Sequence, residues 1–387
     1  MLIAMMDFLK PSFKCLVTIM IVTIVLSTSY MFLPWKGETI VMLFSNQSYK
    51  KSTENGLQDE IKQLYPWLMR QNCLPNYFTR SRHRDIGNRS LLDGTYMYKN
   101  CTVVFLHNWK SGGTTVKNCL SHLMPRAGEK RPMLIGQRTA DRIFTNLLNG
   151  GDDFVKTSYM GAHTFSVCDF TTRPCAYFFV MRDPLERIIS LYNMCKQNKG
   201  QTICIMRNVN HMTLNDWAIH QGSVFFHQLL QNAEFFTNKY TDLVDKLRSV
   251  EDPPTERIPP WWRNKLILDH LMDSNQKSMV LDFVLANLES WFAVIGLTAE
   301  FDISFRLFER VFQLPFYKQC AGNHKNSRQY SYQTDKEDVN ITKEEIVKDL
   351  KKMLSSDPGV MKALHYDIKI YKKAQNIFKK QKTRMAY

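Results

Sequence analysis

The sequence predicts an α/β protein, a parallel sheet flanked by helices, preceded by an N-terminal transmembrane helix. Two short runs, residues 103–106 and 176–181, are apolar at every position, which is typical of strands that are buried on both faces. Each run leads through a loop into a helix-forming segment, at residues 114–123 and 184–194. Strand, loop and helix repeated in this order indicate a parallel α/β sheet.

The transmembrane prediction comes from residues 15–33, which carry no formal charge. At about 1.5 Å rise per residue they nearly match the hydrocarbon thickness of a bilayer. Lys10 and Lys14 precede the segment and only Asp7 opposes them, so residues 1–14 are expected in the cytoplasm and the rest in the lumen. A type II signal anchor is therefore predicted. The alternative is a cleavable signal peptide, whose apolar stretch is usually shorter, about 7–15 residues.

Sequons and cysteines agree with a lumenal body. Four Asn-x-Ser/Thr sequons begin at Asn46, Asn88, Asn100 and Asn340. Of nine cysteines, Cys15 lies in the apolar segment, and the remaining eight suit an oxidising compartment. Eight thiols allow 105 pairings, among which Cys195 with Cys204 is the best local prediction. The absence of a Cys-x-x-Cys motif disfavours a structural zinc site.

The charge balance favours an acidic partner. The chain has 387 residues with 51 Lys and Arg against 36 Asp and Glu, a formal net charge of +15. Nucleic acid, anionic lipid and acidic polysaccharide all fit this balance, and charge alone does not choose among them. A hydrophobic content of 44% with 22% charged residues excludes a wholly disordered chain and a polytopic membrane protein.

The remaining chain divides into a stem and a body. Residues 34–97 are polar and irregular, apart from a short helical run at 57–68, and are expected to form a lumenal stem. Residues 98–387 form the predicted catalytic domain, with helices at 282–292 and 303–312 on either side of a strand at 293–297. The last helix is expected to bury an apolar stripe of Met361, Leu364, Ile368, Tyr371 and Phe378. Its lysines are expected to be a solvated face, with a polyanion-binding surface as the alternative.

The segment after the first strand has the features of an anion-binding loop. Gly112 and Gly113 precede a helix, whose first amide N–H groups and dipole attract an anion, and Lys110 adds a full positive charge. The segment is not a Walker A loop, because that motif places its lysine after the second glycine. The alternative is an ordinary tight turn with a surface lysine.

A second group of polar residues follows the strand at 176–181. Asp183 is the predicted N-cap of the next helix and Pro184 its first residue. Arg182 at the strand end can form a fork to a phosphate, and Ser190, two turns into the helix, can add a hydroxyl. The alternative is that Arg182 pairs with Asp183 or Glu186.

Together these segments resemble the membrane-bound carbohydrate sulfotransferases that use 3′-phosphoadenosine 5′-phosphosulfate (PAPS). Residues 110–115 are similar to the 5′-phosphosulfate loop of that family, and Arg-Asp-Pro-x-x-Arg-x-x-Ser-x-Tyr from Arg182 is similar to its 3′-phosphate motif. The likeness is closest to the Golgi enzymes that sulfate uronic acid at the 2-O position of heparan or dermatan sulfate. Residues 161–165 match their Gly-x-His segment, and residues 287–302 resemble their helix–strand–helix passage.

The resemblance implies the P-loop-like sulfotransferase fold, PAPS as co-substrate and no metal. It makes His163 the catalytic base and Lys110 a second catalytic residue. It also implies a set of nucleotide-binding residues: Lys110, Ser111, Gly112, Gly113, Thr114, Thr115, Arg182 and Ser190. The chain departs from the family where Trp109 and Ser111 flank the lysine, which leaves the choice of acceptor open.

The implied partners are an acidic glycan such as heparan, dermatan or chondroitin sulfate and a bilayer crossed by one helix. Homo-oligomerisation stays open, and no nucleic acid is expected. Trp261 and Trp262, in a predicted loop, are candidates for stacking on a sugar or for packing on the body. Two other functions are kept: a non-catalytic glycan-binding protein with the same fold, and a nucleotide kinase.

Overall fold

The computed structural model describes residues 54–69, 76–80, 98, 101–126, 133–135, 143–146, 148–149, 159–162, 165–171, 174–197, 204, 209–249, 258, 260–320 and 343–385. The predicted anchor, the asparagines of the four sequons and His163 lie outside these ranges. All described residues after Glu54 belong to one compact unit, Asn55–Tyr387. Within the described ranges, no helix combines the length and the apolar character that crossing a bilayer requires.

A five-stranded parallel sheet lies at the centre of this unit, in the order β2-β3-β1-β4-β5. The strands are β1 Thr102–Leu106, β2 Met133–Ile135, β3 Tyr159–Ala162, β4 Cys175–Met181 and β5 Phe292–Leu297. Every residue of β1, β4 and β5 is buried, because helices cover both faces of the sheet. The predicted α/β class with a parallel sheet is confirmed.

Helices make up most of the described chain. Their bounds are α1 Glu54–Leu64, α2 Tyr77–Arg80, α3 Gly113–Arg126, α4 Pro184–Gln197, α5 Leu214–Gln221, α6 Val224–Leu229, α7 Asn238–Leu247, α8 Pro260–Leu271, α9 Ser274–Trp291, α10 Phe301–Phe312, α11 Phe316–Cys320, α12 Lys343–Ser356, α13 Pro358–Ala363 and α14 His365–Arg384. Short 3₁₀ turns lie at Pro66–Leu68, Val167–Phe170, Val209–His211, Ala233–Phe236 and Thr298–Glu300. Near the sheet, α10 and α14 pack on β5, α12 packs on α4, and α11 packs on α3.

We use crevice for the space between the loops that follow β1 and β4, at the carboxyl ends of these two neighbouring strands. The chain leaves β1 toward β2 on one side, and it leaves β4 toward β5 on the other side. Because β1 and β4 are neighbours, the loops after them diverge at a topological switch point. In open parallel sheets this is where ligands bind.

The predicted strands agree closely with β1, β4 and β5, and the predicted helices 114–123, 184–194 and 303–312 agree with α3, α4 and α10. The final helix differs from its prediction. Leu364 separates α13 from α14, so one helical period does not continue through the segment. Of the predicted stripe, Leu364 and Phe378 are buried as expected, whereas Met361, Ile368 and Tyr371 are half-buried. The other buried side chains of α14 are Asp367, Ile370, Ala374, Ile377 and Gln381.

Two regions outside the sheet also differ from expectation. Trp261 and Trp262 lie in α8 rather than in a loop, and both are buried beside His220, so they pack on the body. Helices α1 and α2 lie within the range expected as a stem. Their apolar side chains Ile61 and Phe78 join the hydrophobic core, so the packed body extends N-terminally beyond residue 98.

Three disulfides are present among the described cysteines. The predicted pair Cys195–Cys204 is confirmed, at a separation of 9 residues. Cys168–Cys175 closes a short loop before β4. Cys119–Cys320 joins α3 to α11 across 201 residues of sequence. The disulfides therefore fix the C-terminal part of α4 locally and tie α3 to a distant helix.

A buried ion pair joins α4 to the C-terminal helix. Arg187 and Asp367 are each about 1% exposed, with the Arg187 Nη2 to Asp367 Oδ2 distance at 3.7 Å. Asp367 also accepts hydrogen bonds from the amides of Phe225 and Phe226, at 3.2 and 2.8 Å. Burial lowers the pKa of Arg187 and raises the pKa of Asp367, each against the charge of its partner. The pair fixes α14 against α4 and α6.

Candidate functional site

The loop between β1 and α3 turns sharply before the helix begins. Lys110 and Gly112 have left-handed backbone conformations, with φ of 62° and 76°. The carbonyl oxygen of Gly112 accepts a hydrogen bond from Val116 N at 3.2 Å, and α3 begins at Gly113. The amide N–H groups of the first turn have no acceptor within the helix, and that turn contains no acidic residue. The helix start therefore offers donors to an external anion.

Both glycines of this loop are required by close packing. A Cβ on Gly113 would lie 1.7 Å from Cδ2 of His107, and a Cβ on Gly112 would lie 2.7 Å from Cε2 of Phe301. The His107 ring is buried and stacks between Phe105 and Trp109, at centroid distances of 5.9 and 5.8 Å. Only glycine lets α3 approach the end of β1 this closely.

Two buried polar side chains of the loop make no hydrogen bond within the described chain. They are the hydroxyl of Ser111 and the amide of Asn108, each about 1% exposed. Buried polar groups normally have a partner, so a bound anion or an ordered water is expected to satisfy them. Ser111 belongs to the predicted site. Asn108 was not predicted, although a polar residue two positions after a buried strand was a usable signal.

The segment after β4 is arranged differently. Asp183 Oδ1 accepts hydrogen bonds from Leu185 N at 3.0 Å and Glu186 N at 3.1 Å, which confirms the predicted N-cap. Arg182 Nε lies 3.4 Å from Glu186 Oε2, so the ion pair that sequence left as an alternative is present. Arg182 Nη1 also lies 3.5 Å from the carbonyl oxygen of Lys110. The two predicted phosphate-binding segments therefore meet at the crevice.

Helix α4 carries the other contact between these segments. Lys110 Nζ lies 3.7 Å from Met194 Sδ, so the lysine side chain crosses to α4. Glu186, Ser190 and Met194 are spaced by four residues and share one face of that helix. Ser190 thus lies between the turn that contacts Arg182 and the turn that contacts Lys110. Lys110 is thus brought from a distant part of the sequence to the segment that contains Arg182 and Ser190.

A lysine from α12 joins Arg182, Asp183 and Glu186 in a cluster of four charged side chains. Lys351 Nζ lies 3.0 Å from Glu186 Oε1 and 3.2 Å from Asp183 Oδ2. Burial alone would lower the pKa of Lys351, but the two carboxylates raise it above its ordinary value. Burial, together with Asp183 and Glu186, raises the pKa of Tyr371, which faces the same cluster from α14. Lys351 was not predicted, because α12 contains several lysines and its sequence does not distinguish them.

Of the remaining predicted residues, Thr114 and Thr115 are described and His163 is not. Thr114 is exposed and Thr115 is half-buried, both in the first turn of α3. His163 lies outside the described residues, so its role stays a prediction. The strand before it, β3, ends at Ala162, which pairs with Leu106 at the end of β1.

Neither a metal-binding group among the described residues nor a similarity to known proteins identifies the chemistry of the site. In the described ranges, no group of three or more His, Cys, Asp or Glu side chains is arranged to hold a metal ion. No protein-family model matches the sequence. A comparison with curated proteins gives no match either. The chemistry of the site is therefore considered from its own residues and from the motif resemblance.

Proposed function

We propose that this chain is a PAPS-dependent sulfotransferase that modifies a hydroxyl group of an acidic glycan, with the 2-O position of a uronic acid as the first candidate. The observation that carries the proposal is the meeting of two anion-binding segments at the switch point of the sheet. Arg182 Nη1 lies 3.5 Å from the Lys110 carbonyl oxygen, although the two residues are 72 positions apart in sequence. A nucleotide with phosphates at both ends requires two such segments side by side.

The residues of each segment fit one end of that nucleotide. When bound, PAPS would supply the sulfuryl group for the acceptor hydroxyl. The amides at the start of α3, with Lys110 and the unpaired hydroxyl of Ser111, would bind the 5′-phosphate and stabilise the negative charge that develops there. Arg182 and Ser190 would hold the 3′-phosphate and so fix the donor position. His163 would accept the proton of the attacking hydroxyl, a task that suits an imidazole near neutral pH.

The cellular setting belongs to the same proposal. We infer a Golgi protein with one membrane-spanning segment at residues 15–33 and the sheet domain in the lumen. Three disulfides among the described cysteines support an oxidising compartment. A net charge of +15 supports an acidic acceptor such as heparan, dermatan or chondroitin sulfate.

Sulfate transfer tests the function directly. The full chain, produced through a eukaryotic secretory pathway, is incubated with radiolabelled PAPS and desulfated heparan or dermatan. We expect labelled polysaccharide, and a loss of at least about 100-fold in rate for Lys110→Ala and for His163→Ala. Lys352→Ala, an exposed lysine on α12, serves as the matched control and should transfer sulfate like the wild type.

Two results would contradict the proposal in different ways. Wild-type rates in both Lys110→Ala and His163→Ala would show that the site is assigned to the wrong residues. Glycan binding without any transfer would favour the non-catalytic alternative. Identification of the sulfated disaccharide after enzymatic digestion of the product would give the acceptor position.

A further inference from the structure

We propose that Lys351 is a positioning residue for the donor nucleotide: it holds the carboxylates of Glu186 and Asp183 so that Arg182 stays available to the 3′-phosphate. This inference rests on the proposed function, because it concerns the 3′-phosphate end of the same site. It assigns a role to a residue from the C-terminal part of the chain, which neither anion-binding motif contains.

The geometry places Lys351 and Arg182 on the same carboxylate. Lys351 Nζ is 3.0 Å from Glu186 Oε1, while Arg182 Nε is 3.4 Å from Glu186 Oε2. Lys351 Nζ also lies 3.2 Å from Asp183 Oδ2, whose other oxygen caps α4. Of its two cationic partners, Glu186 thus lies closer to Lys351 than to Arg182.

The charges explain why such a lysine is needed. A phosphate that binds Arg182 approaches two carboxylates, those of Asp183 and Glu186, and both repel it. With Lys351 present, the two cations and two anions of the cluster sum to zero. Without Lys351, the cluster is negative by one charge, and Glu186 has only Arg182 as its described cationic partner. Unit charges a few ångströms apart at a half-exposed site change an anion's affinity by about tenfold.

A purely structural role would give a different result. The side chains of Lys351, Asp183 and Glu186 are each between 25% and 33% exposed. Ion pairs this exposed contribute little to the free energy of unfolding. Removal of Lys351 should therefore weaken nucleotide binding while leaving the thermal unfolding temperature of the ligand-free protein nearly unchanged.

The test is a calorimetric titration of the full chain with 3′,5′-ADP and with 5′-AMP, which lacks the 3′-phosphate. For Lys351→Met we expect an affinity for 3′,5′-ADP about tenfold below that of the wild type, and an affinity for 5′-AMP within about twofold of it. The double variant Lys351→Met with Glu186→Gln should recover most of the loss, because the competing carboxylate is gone. Lys352→Met removes the same charge from the exposed side of α12 and should bind both nucleotides normally.

Each contrary outcome is distinct. If Lys351→Met weakens 3′,5′-ADP binding but Glu186→Gln gives no recovery, Lys351 contacts the phosphate itself and the positioning role is wrong. Equal losses for the two nucleotides, or a large fall in unfolding temperature, would show a structural role instead. If the wild type binds neither nucleotide, the proposed function fails, and this role of Lys351 fails with it.

Discussion

The two strand–loop–helix units of the crevice, β1–α3 and β4–α4, share one architecture but begin their helices in opposite ways. Helix α3 follows Gly112 and begins at Gly113, with no acidic residue in its first turn. Helix α4 begins with its first amides already bonded to Asp183 and with Glu186 in its first turn. An anion can therefore use backbone donors at α3, whereas at α4 it depends on the side chain of Arg182. The same supersecondary unit thus begins one helix with open backbone amides and the other with amides bonded to a side-chain cap.

The units also differ in how they are fixed to the rest of the protein. Helix α3 is covalently joined to α11 through Cys119–Cys320, at a separation of 201 residues. The disulfide of α4, Cys195–Cys204, closes a loop of only 9 residues. Helix α4 is otherwise held to the rest of the protein by non-covalent packing against α12 and α14. The unit with open amides is therefore the one with the long-range cross-link.

The largest expected effect comes from removing these cross-links in turn. In the chain-entropy view, a disulfide stabilises by restricting the unfolded chain, and more so for a longer loop. We expect Cys119→Ala with Cys320→Ala to lower the free energy of unfolding by about 5 kcal/mol, and Cys195→Ala with Cys204→Ala by about 3 kcal/mol. Urea unfolding without reductant measures both. A larger loss of unfolding free energy on removal of Cys195–Cys204 than on removal of Cys119–Cys320 would contradict the proposed difference in how α3 and α4 are anchored.

A smaller effect is expected from Gly113→Ala. The new methyl group would lie 1.7 Å from the His107 ring, so the start of α3 must shift away from β1. We expect a loss of about 2–3 kcal/mol in the free energy of unfolding, together with weaker binding of 3′,5′-ADP. Gly359→Ala in α13 is the matched control, because its Cβ would lie no closer than 3.1 Å to any side chain. If Gly113→Ala and the wild type had the same urea midpoint of unfolding, the close packing of α3 on the His107 ring would be contradicted.

The smallest effect concerns the cap of α4. Asp183→Ala removes the acceptor of two amide hydrogen bonds and should cost about 1 kcal/mol of unfolding free energy. Asp183→Asn keeps an acceptor oxygen and should stay within about 0.5 kcal/mol of the wild type. Thermal and urea unfolding of the two variants measure the difference. Equal stability of all three proteins would mean that the two helix starts are not energetically different.

Local patterns in the sequence were sufficient for the elements next to the crevice. The continuous apolar runs gave β1 and β4, and the Asp-Pro pair after β4 gave the cap at Asp183 and the start of α4 at Pro184. Strands β2 and β3 were not predicted, because three or four residues are too few to show a period. Trp261 and Trp262 were expected in a loop, since two prolines precede them, but the second proline opens α8.

Contacts between distant segments could not be predicted in the same way. Lys110 and Arg182 were each identified from local motifs, and the neighbouring positions of β1 and β4 bring them together. In the sequence, nothing distinguishes Lys351 from Lys348 and Lys352. The difference arises only when α12 packs on α4. A surface lysine and a site lysine differ only in what faces them, which is a property of the packed chain.

The ion pair of Arg187 with Asp367 constrains the order in which parts of the chain fold during synthesis. Arg187 belongs to the helix that follows β4, but the carboxylate that neutralises it is synthesised 180 residues later. A guanidinium enclosed without its counter-ion is strongly unfavourable. A nascent chain on the ribosome therefore has to leave Arg187 accessible to water until α14 has emerged.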